Sequence, residues 1–161
     1  MVTLRKPTTR EFSDLVKLSY ENFVSALASS SGESETSLKE KMGGPPEHQG
    51  ENNLWFLIVS GQAALEQKMG FVWIHLMPDE KSAFGYDIFL EPKFRSQGIG
   101  REVMQACSEK LMSLGIHSVE ICVFEENQIA RALYASLGFT VKNFDSARKQ
   151  FRLALELKSD P

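Results

Sequence analysis

The hydrophobic period of the chain changes at Gly98, and that change restricts the fold more than any other feature. Before it, Tyr86-Asp87-Ile88-Phe89-Leu90 reads as a strand; after it, Ile99, Val103, Cys107 and Leu111 recur every four residues, a helical spacing that Gly115 terminates. Another strand, Ser118 to Phe124, follows directly. Strand, helix and strand in that order imply one parallel βαβ crossover, since parallel neighbours need a long connection. The sheet is therefore mixed.

The remaining elements fit around that crossover. Residues 2–6 read as a short strand, and Thr8 or Thr9 is placed to cap a helix carrying Phe12, Leu15, Val16, Leu18, Phe23 and Leu27. Residues 29–53 are rich in Ser, Gly, Glu and Pro, with a short helix expected around Leu38 to Met42, and read as a mobile insertion or lid. Three antiparallel strands follow at 54–59, 69–76 and 83–90. A short helix at Asn127 to Leu137 ends at Gly138, and 139–144 and 151–157 form a terminal hairpin. The expectation is an α/β (mixed α+β) fold: one domain over 1–161, with about seven mostly antiparallel strands flanked by about four helices.

Composition narrows the class. A chain of 161 residues holds a core without staples, and no apolar run approaches the ~20 residues of a membrane span. No secretory pattern follows Met1, and Cys107 and Cys122 read as buried free thiols, which together suggest a cytoplasmic protein. The net charge of −3 argues against nucleic acid as the main partner, and no metal-ligand spacing is present.

The segment Pro92-Lys93-Phe94-Arg95-Ser96-Gln97-Gly98-Ile99-Gly100 is a candidate anion cradle. Backbone N–H groups at a helix start lack intrahelical partners and lie at the positive end of the dipole, so they bind phosphate oxygens. Gly98 and Gly100 allow a diphosphate to approach closely. A Walker A loop is excluded because Gly100 is followed by Arg101-Glu102 rather than Lys-Ser/Thr. A dinucleotide fingerprint fails at Val103, where a small residue is needed. Glu120 mimics its ribose-binding acid, but too little chain follows Gly100 to complete such a fold.

The order Leu90-Glu91-Pro92-x-x-Arg95-x-Gln97-Gly98-x-Gly100 resembles the acyl-CoA signature of the GCN5-related N-acetyltransferases. A second block, Asn127-x-x-Ala130-x-x-Leu133-Tyr134-x-x-x-Gly138-Phe139, is similar to that family's other motif. The resemblance implies acetyl-CoA as co-substrate, with no metal. It places the diphosphate on the N–H groups of Gln97, Gly98, Ile99, Gly100 and Arg101, with Arg95 adding a charge-assisted contact. It lays the pantetheine arm along the backbone of Ile88 and Leu90, turns the Ile88 N–H toward the thioester oxygen, and gives Asn127 a contact with the cofactor arm. Tyr134 corresponds to the acid that protonates the departing thiolate. The implied reaction is acetyl transfer to a primary amine by direct attack in a ternary complex, and the alternative is a non-catalytic acyl-CoA-binding sensor. The implied partner is a small-molecule or peptide amine, with neither nucleic acid nor membrane, and a homodimer is compatible with it.

The acceptor half is less defined. Phe84 and Tyr86 stand where some members of the family carry a base, and neither is one. Strand alternation sets Asp87 and Glu91 on the opposite face, with His75 on the neighbouring strand, so the base is Asp87, Glu91, His75 or water. His48 and His117 read as surface positions, and Glu33, Glu35, Glu40 and Glu47 give the insertion an acidic character suited to a cationic amine.

Overall fold

The computed structural model describes residues 1–45 and 50–158. The chain runs β1 (Val2–Arg5), α1 (Thr9–Ser31), α2 (Glu35–Met42), β2 (Asn53–Ser60), β3 (Gln67–Met77), β4 (Ser82–Leu90), α3 (Ile99–Ser113), β5 (Ser118–Phe124), α4 (Gln128–Ser136), β6 (Thr140–Asp145) and β7 (Gln150–Glu156). One seven-stranded sheet has the order β1-β2-β3-β4-β5-β7-β6. Its β4–β5 pair is parallel and the other pairs are antiparallel, as the expected crossover through α3 requires.

Alternation along the strands divides the apolar residues between two layers. On one face Ile58, Val72, Ile74 and Ala83 pack with Val103, Met104, Cys107 and Leu111 of α3. On the other, Trp55, Leu57, Val59, Phe71 and Trp73 pack with Phe12, Leu15 and Val16 of α1. Helix α1 starts in a capping box: the Thr8 hydroxyl accepts from Glu11 N–H, and the Glu11 carboxylate accepts from Thr8 N–H. It ends at Gly32, in the left-handed region at φ 74°.

The segment expected as an insertion is more helical than its composition suggests. Helix α1 runs on to Ser31, and α2 begins at Glu35 behind the Ser34 cap. One apolar residue fixes α2 in place, since Leu38 is buried with Tyr20 and Val24, and the Tyr20 hydroxyl donates to the Gly43 carbonyl. Glu47 and His48 lie outside the described residues. The two cysteines differ: Cys107 is buried, but Cys122 is exposed because it alternates with the buried Ile121 and Val123.

Two irregularities in β4 shape the centre of the sheet. Trp73 pairs with Asp87 while Ile74 pairs with Gly85, so Tyr86 is an extra residue, a β-bulge. The bulge reverses the side-chain alternation, and Asp87 lies on the face of Trp73, Phe84 and Tyr86, not opposite it as strict alternation had implied. In addition, β4 and β5 pair only from Ser82↔Ser118 to Gly85↔Ile121. Beyond that point β4 continues against β3 to Leu90 and β5 against β7 to Phe124, and a wedge opens between them.

Candidate active site

The glycine turn stands at the mouth of this wedge. A single 3₁₀ turn at Pro92–Phe94 anchors it through buried Phe94, and the chain then enters the left-handed region at Ser96 and Gly98, with φ of 58° and 81°. Helix α3 starts at Ile99. Among the described residues, no backbone carbonyl accepts from the N–H groups of Gln97, Gly98, Ile99 or Gly100. The Arg101 N–H donates to the Gly98 carbonyl at 3.1 Å, so the expected set of free donors ends at Gly100.

The two glycines serve different ends. A Cβ on Gly98 would meet nothing within 4 Å, which leaves the backbone open to a bulky anion. A Cβ on Gly100 would lie 3.0 Å from Leu133 Cδ2, so Gly100 also allows α3 to approach α4 closely. Basic side chains surround the turn. Arg95 Nε donates to the Leu90 carbonyl at 2.8 Å, Arg101 Nη2 donates to Ser136 Oγ at 2.7 Å, and Lys93 pairs with Glu91 at 3.3 Å.

Ile88 and Leu90 pack their side chains against the main core and leave their backbone on the edge where β5 has departed. Across the wedge, α4 is capped by Asn127, whose Oδ1 accepts from Ala130 N–H at 3.1 Å. Tyr134 on this helix packs against Phe139, with ring centroids 5.5 Å apart. Its hydroxyl has no protein hydrogen-bond partner among the described residues, and it is not sealed from solvent. Burial pushes the phenol up to about 12, and the nearby Asp87 carboxylate and Cys107 thiol add to the shift.

The face toward α1 carries an aromatic row. Trp55 stacks on Trp73 at 4.8 Å and Trp73 on Tyr86 at 4.4 Å, while Phe84 meets Tyr86 edge-on at 4.8 Å. Tyr86 remains 53% exposed. Next to it Asp87 accepts a hydrogen bond from Ser19 Oγ of α1 at 2.6 Å. Burial pushes this carboxyl up to about 6, opposed by the Ser19 hydroxyl and the Ile88 N–H, both of which favour the anion.

The other candidates for the acceptor side are differently engaged. His75 Nδ1 lies 3.2 Å from Asn53 Oδ1, which also accepts from Trp73 Nε1 at 3.1 Å. Glu91 lies near solvent, paired with Lys93, and His117 is exposed. Of the insertion's acids Glu33 is paired with Lys41, and the insertion's Lys39 pairs with Glu21 of α1. Ser19 was missed by sequence reasoning. Its signal is a hydroxyl four positions after Leu15 on the buried stripe of α1. Among the described residues, no cluster of three His, Cys, Asp or Glu side chains could hold a metal ion, and no helix is long and apolar enough to cross a membrane.

Residues 20–139 match the model of the Acetyltransferase (GNAT) family. The uncharacterized N-acetyltransferase YdgE of Bacillus subtilis (strain 168) is 28% identical over 156 residues, or 92% of this chain and 97% of that protein. The uncharacterized N-acetyltransferase YycN of the same organism is 36% identical over 73 residues, 44% of this chain and 47% of YycN, so that match spans about half of the relative. The solved structure of YycN superposes with a TM-score of 0.73 at 20% identity, covering 90% of this chain and 96% of that one. A spermidine N-acetyltransferase from Vibrio cholerae, in complex with CoA and spermine, gives 0.70 at 20% identity, covering 97% and 95%. The solved structures share the fold, and the family match over residues 20–139 spans both motifs: the chain belongs to the Acetyltransferase (GNAT) family.

Proposed function

We propose that the protein transfers an acetyl group from acetyl-CoA to a primary amine by direct attack in a ternary complex. The observation that carries this reading is a continuous backbone surface. Uncommitted N–H groups at Gln97, Gly98, Ile99 and Gly100 lead into the β4 edge at Leu90 and Ile88, which β5 leaves open. The first suits a diphosphate and the second an extended arm that pairs like a strand.

In this reading the diphosphate rests on the four N–H groups, and the guanidinium groups of Arg95 and Arg101 supply charge. Arg95 occupies the Leu90 carbonyl with its Nε, so it must give up that bond when an arm pairs there. Ile88 N–H, which also favours the Asp87 anion and so must be shared with that carboxylate, polarises the thioester carbonyl, and electrostatic stabilisation of the developing oxyanion lowers the barrier. Tyr134, protonated throughout the neutral range, donates its proton to the leaving thiolate. Asn127 caps α4 and thereby holds Tyr134 toward the wedge, with its side-chain amide left for the cofactor arm. The acceptor is a small-molecule or peptide amine, and a cationic amine suits the aromatic row, since ring faces attract cations. A cytoplasmic location goes with this reading.

A thiol-release screen with acetyl-CoA against small amines, antibiotics and peptides, paired with calorimetric titration of acetyl-CoA, tests it. Thiol release matched by an acetylated product is the expected result. Binding without release across the panel would identify a sensor instead, and no binding would reject both readings.

A further inference from the structure

We infer that Asp87, positioned by the Ser19 hydroxyl, is the catalytic base that takes a proton from the acceptor's ammonium group. The inference rests on the acetyltransferase reading and assigns the function that the strand positions of Phe84 and Tyr86 cannot supply.

Location is the first argument. Asp87 directly precedes Ile88, so its carboxylate lies one residue from the N–H that would face the thioester oxygen. The bulge at Tyr86 turns it to the face that carries the aromatic row, where a cationic amine would arrive. Had β4 been regular, Asp87 would have pointed into the layer covered by α3.

The second argument is its set of partners. Asp87 is partly buried, and a carboxylate drawn out of water is ordinarily paired with a cation. Among the described residues, no Lys, Arg or His forms an ion pair with Asp87, and its side-chain partner is Ser19. Ser19 is itself only 6% exposed, the one buried polar side chain among the described residues. A structural carboxylate gains stability from a cation; one kept without a cation retains its affinity for a proton. Among the described residues, the groups that face it are Tyr134 from α4, coupled to it electrostatically, Tyr86 next to it in β4 and the Ser19 hydroxyl from α1, while His75 on β3 meets the far side of Tyr86. Burial sets its titration near 6, so it is ionised at neutral pH and still basic enough to accept a proton.

The proton accounting closes. An ammonium N–H bond breaks toward an Asp87 oxygen, and the freed lone pair forms the C–N bond to the acetyl carbon. The C–S electron pair leaves with sulfur, which takes the Tyr134 proton. The second surplus proton on nitrogen restores Tyr134, and the proton on Asp87 passes to solvent. Amide, thiol and one proton are the net products.

The test is the pH dependence of kcat/KM for the wild type, Asp87→Asn and Ser19→Ala, with one alkylamine and one weakly basic amine. The wild type should show an acidic limb near pH 6. Asp87→Asn can use only neutral amine, so its limb should move to the amine's own pKa, about 10.4 for an alkylamine. Its deficit at pH 7 should be about 10²–10⁴-fold, the range for a lost general base, and should shrink for the weakly basic amine. Ser19→Ala should raise the wild-type limb, because a donor to the anion is gone. A limb left near pH 6 in Asp87→Asn, or a loss uniform across pH and both amines, overturns the assignment while leaving the transferase reading intact. If Asp87→Asn does not fold by circular dichroism, an unmoved limb in Ser19→Ala overturns it. A wild type that releases no thiol with any amine overturns the transferase reading itself, and the assignment with it.

Discussion

Replacing Tyr134 by Phe separates catalysis from stability at one atom. The hydroxyl has no protein partner among the described residues and is not fully sealed from solvent, so its removal leaves no orphaned donor or acceptor. The ring keeps its contact with Phe139 and the core. The expected change in stability is that of a surface substitution, within about 0.5 kcal/mol, or a Tm shift of about 1–2 °C. Turnover should respond very differently. At a pKa of about 12 the phenol is a weaker acid than a free thiol, whose pKa is about 8.5. Transfer to a fully formed thiolate would then be uphill by roughly 5 kcal/mol, a gap that neutralisation of Asp87 narrows because its charge is one cause of the raised value. That places Tyr134 at the low end of general-acid contributions, about 10²-fold in kcat, or about 2.7 kcal/mol of barrier. Steady-state thiol release gives kcat, calorimetric titration the acetyl-CoA Kd, and a thermal melt the stability. A kcat within twofold of wild type would remove Tyr134 from the chemistry. A loss of kcat matched by an equal loss of affinity or stability would show that it only supports the wedge.

Three further outcomes follow from the structure. Gly98→Val should weaken acetyl-CoA binding at least tenfold by calorimetry, because a branched side chain would enter the open side of the cradle. It should also lower stability by about 1–2 kcal/mol, since the position sits at φ 81°. For Asp87, the folded pKa is raised from 3.8 to about 6, so the folded state binds its proton more tightly and stability falls as pH rises through that window. The stability of Asp87→Asn relative to wild type should therefore increase by about 2.4 kcal/mol between pH 4 and pH 7 in urea titrations; an unchanged difference would contradict the burial of the charge. Glu11 is held well below the usual carboxylate range, by Arg5 first, then Lys68 and the Thr8 N–H. Glu11→Gln should cost about 1 kcal/mol at pH 7 by thermal melt, a penalty that disappears as pH falls below the carboxylate range.

The order of strands and helices was legible because each element repeats apolar residues at its own period and glycines mark the stops. The proposed donor half was readable for a related reason: Gly98 and Gly100 announce a backbone left open to close approach. The acceptor half was hidden by the bulge. Phe84, Tyr86, Ile88 and Leu90 look like one alternating face, yet the extra residue at Tyr86 sends Phe84 and Tyr86 to the α1 side and Ile88 and Leu90 to the α3 side. The run Ile88-Phe89-Leu90 shows a strand covered on both faces but gives no sign of where the alternation reverses. Gly100 has a second use, its contact with Leu133, which depends on a helix more than thirty positions away. In the 29–53 segment the short helix expected near Leu38 is present as α2, and what composition does not report is how it is held: by Leu38 against Tyr20 and Val24, by the Tyr20 hydroxyl on Gly43 and by the Lys39–Glu21 pair.

In the proposed reaction, the electrostatic link between Asp87 and Tyr134 sets the order of the proton transfers. While Asp87 is an anion it makes the Tyr134 phenolate less favourable, so the phenol keeps its proton. Once Asp87 accepts a proton from the amine it becomes neutral, and that restraint disappears. The same event that creates the nucleophile therefore strengthens the acid that serves the leaving group. Early proton loss from Tyr134, before an amine is ready to attack, is disfavoured by the charge that a waiting Asp87 still carries. The bulge at Tyr86 makes this coupling available by bringing the Asp87 carboxylate to the cleft face, and Ser19 holds it there without the cation that would have quenched it.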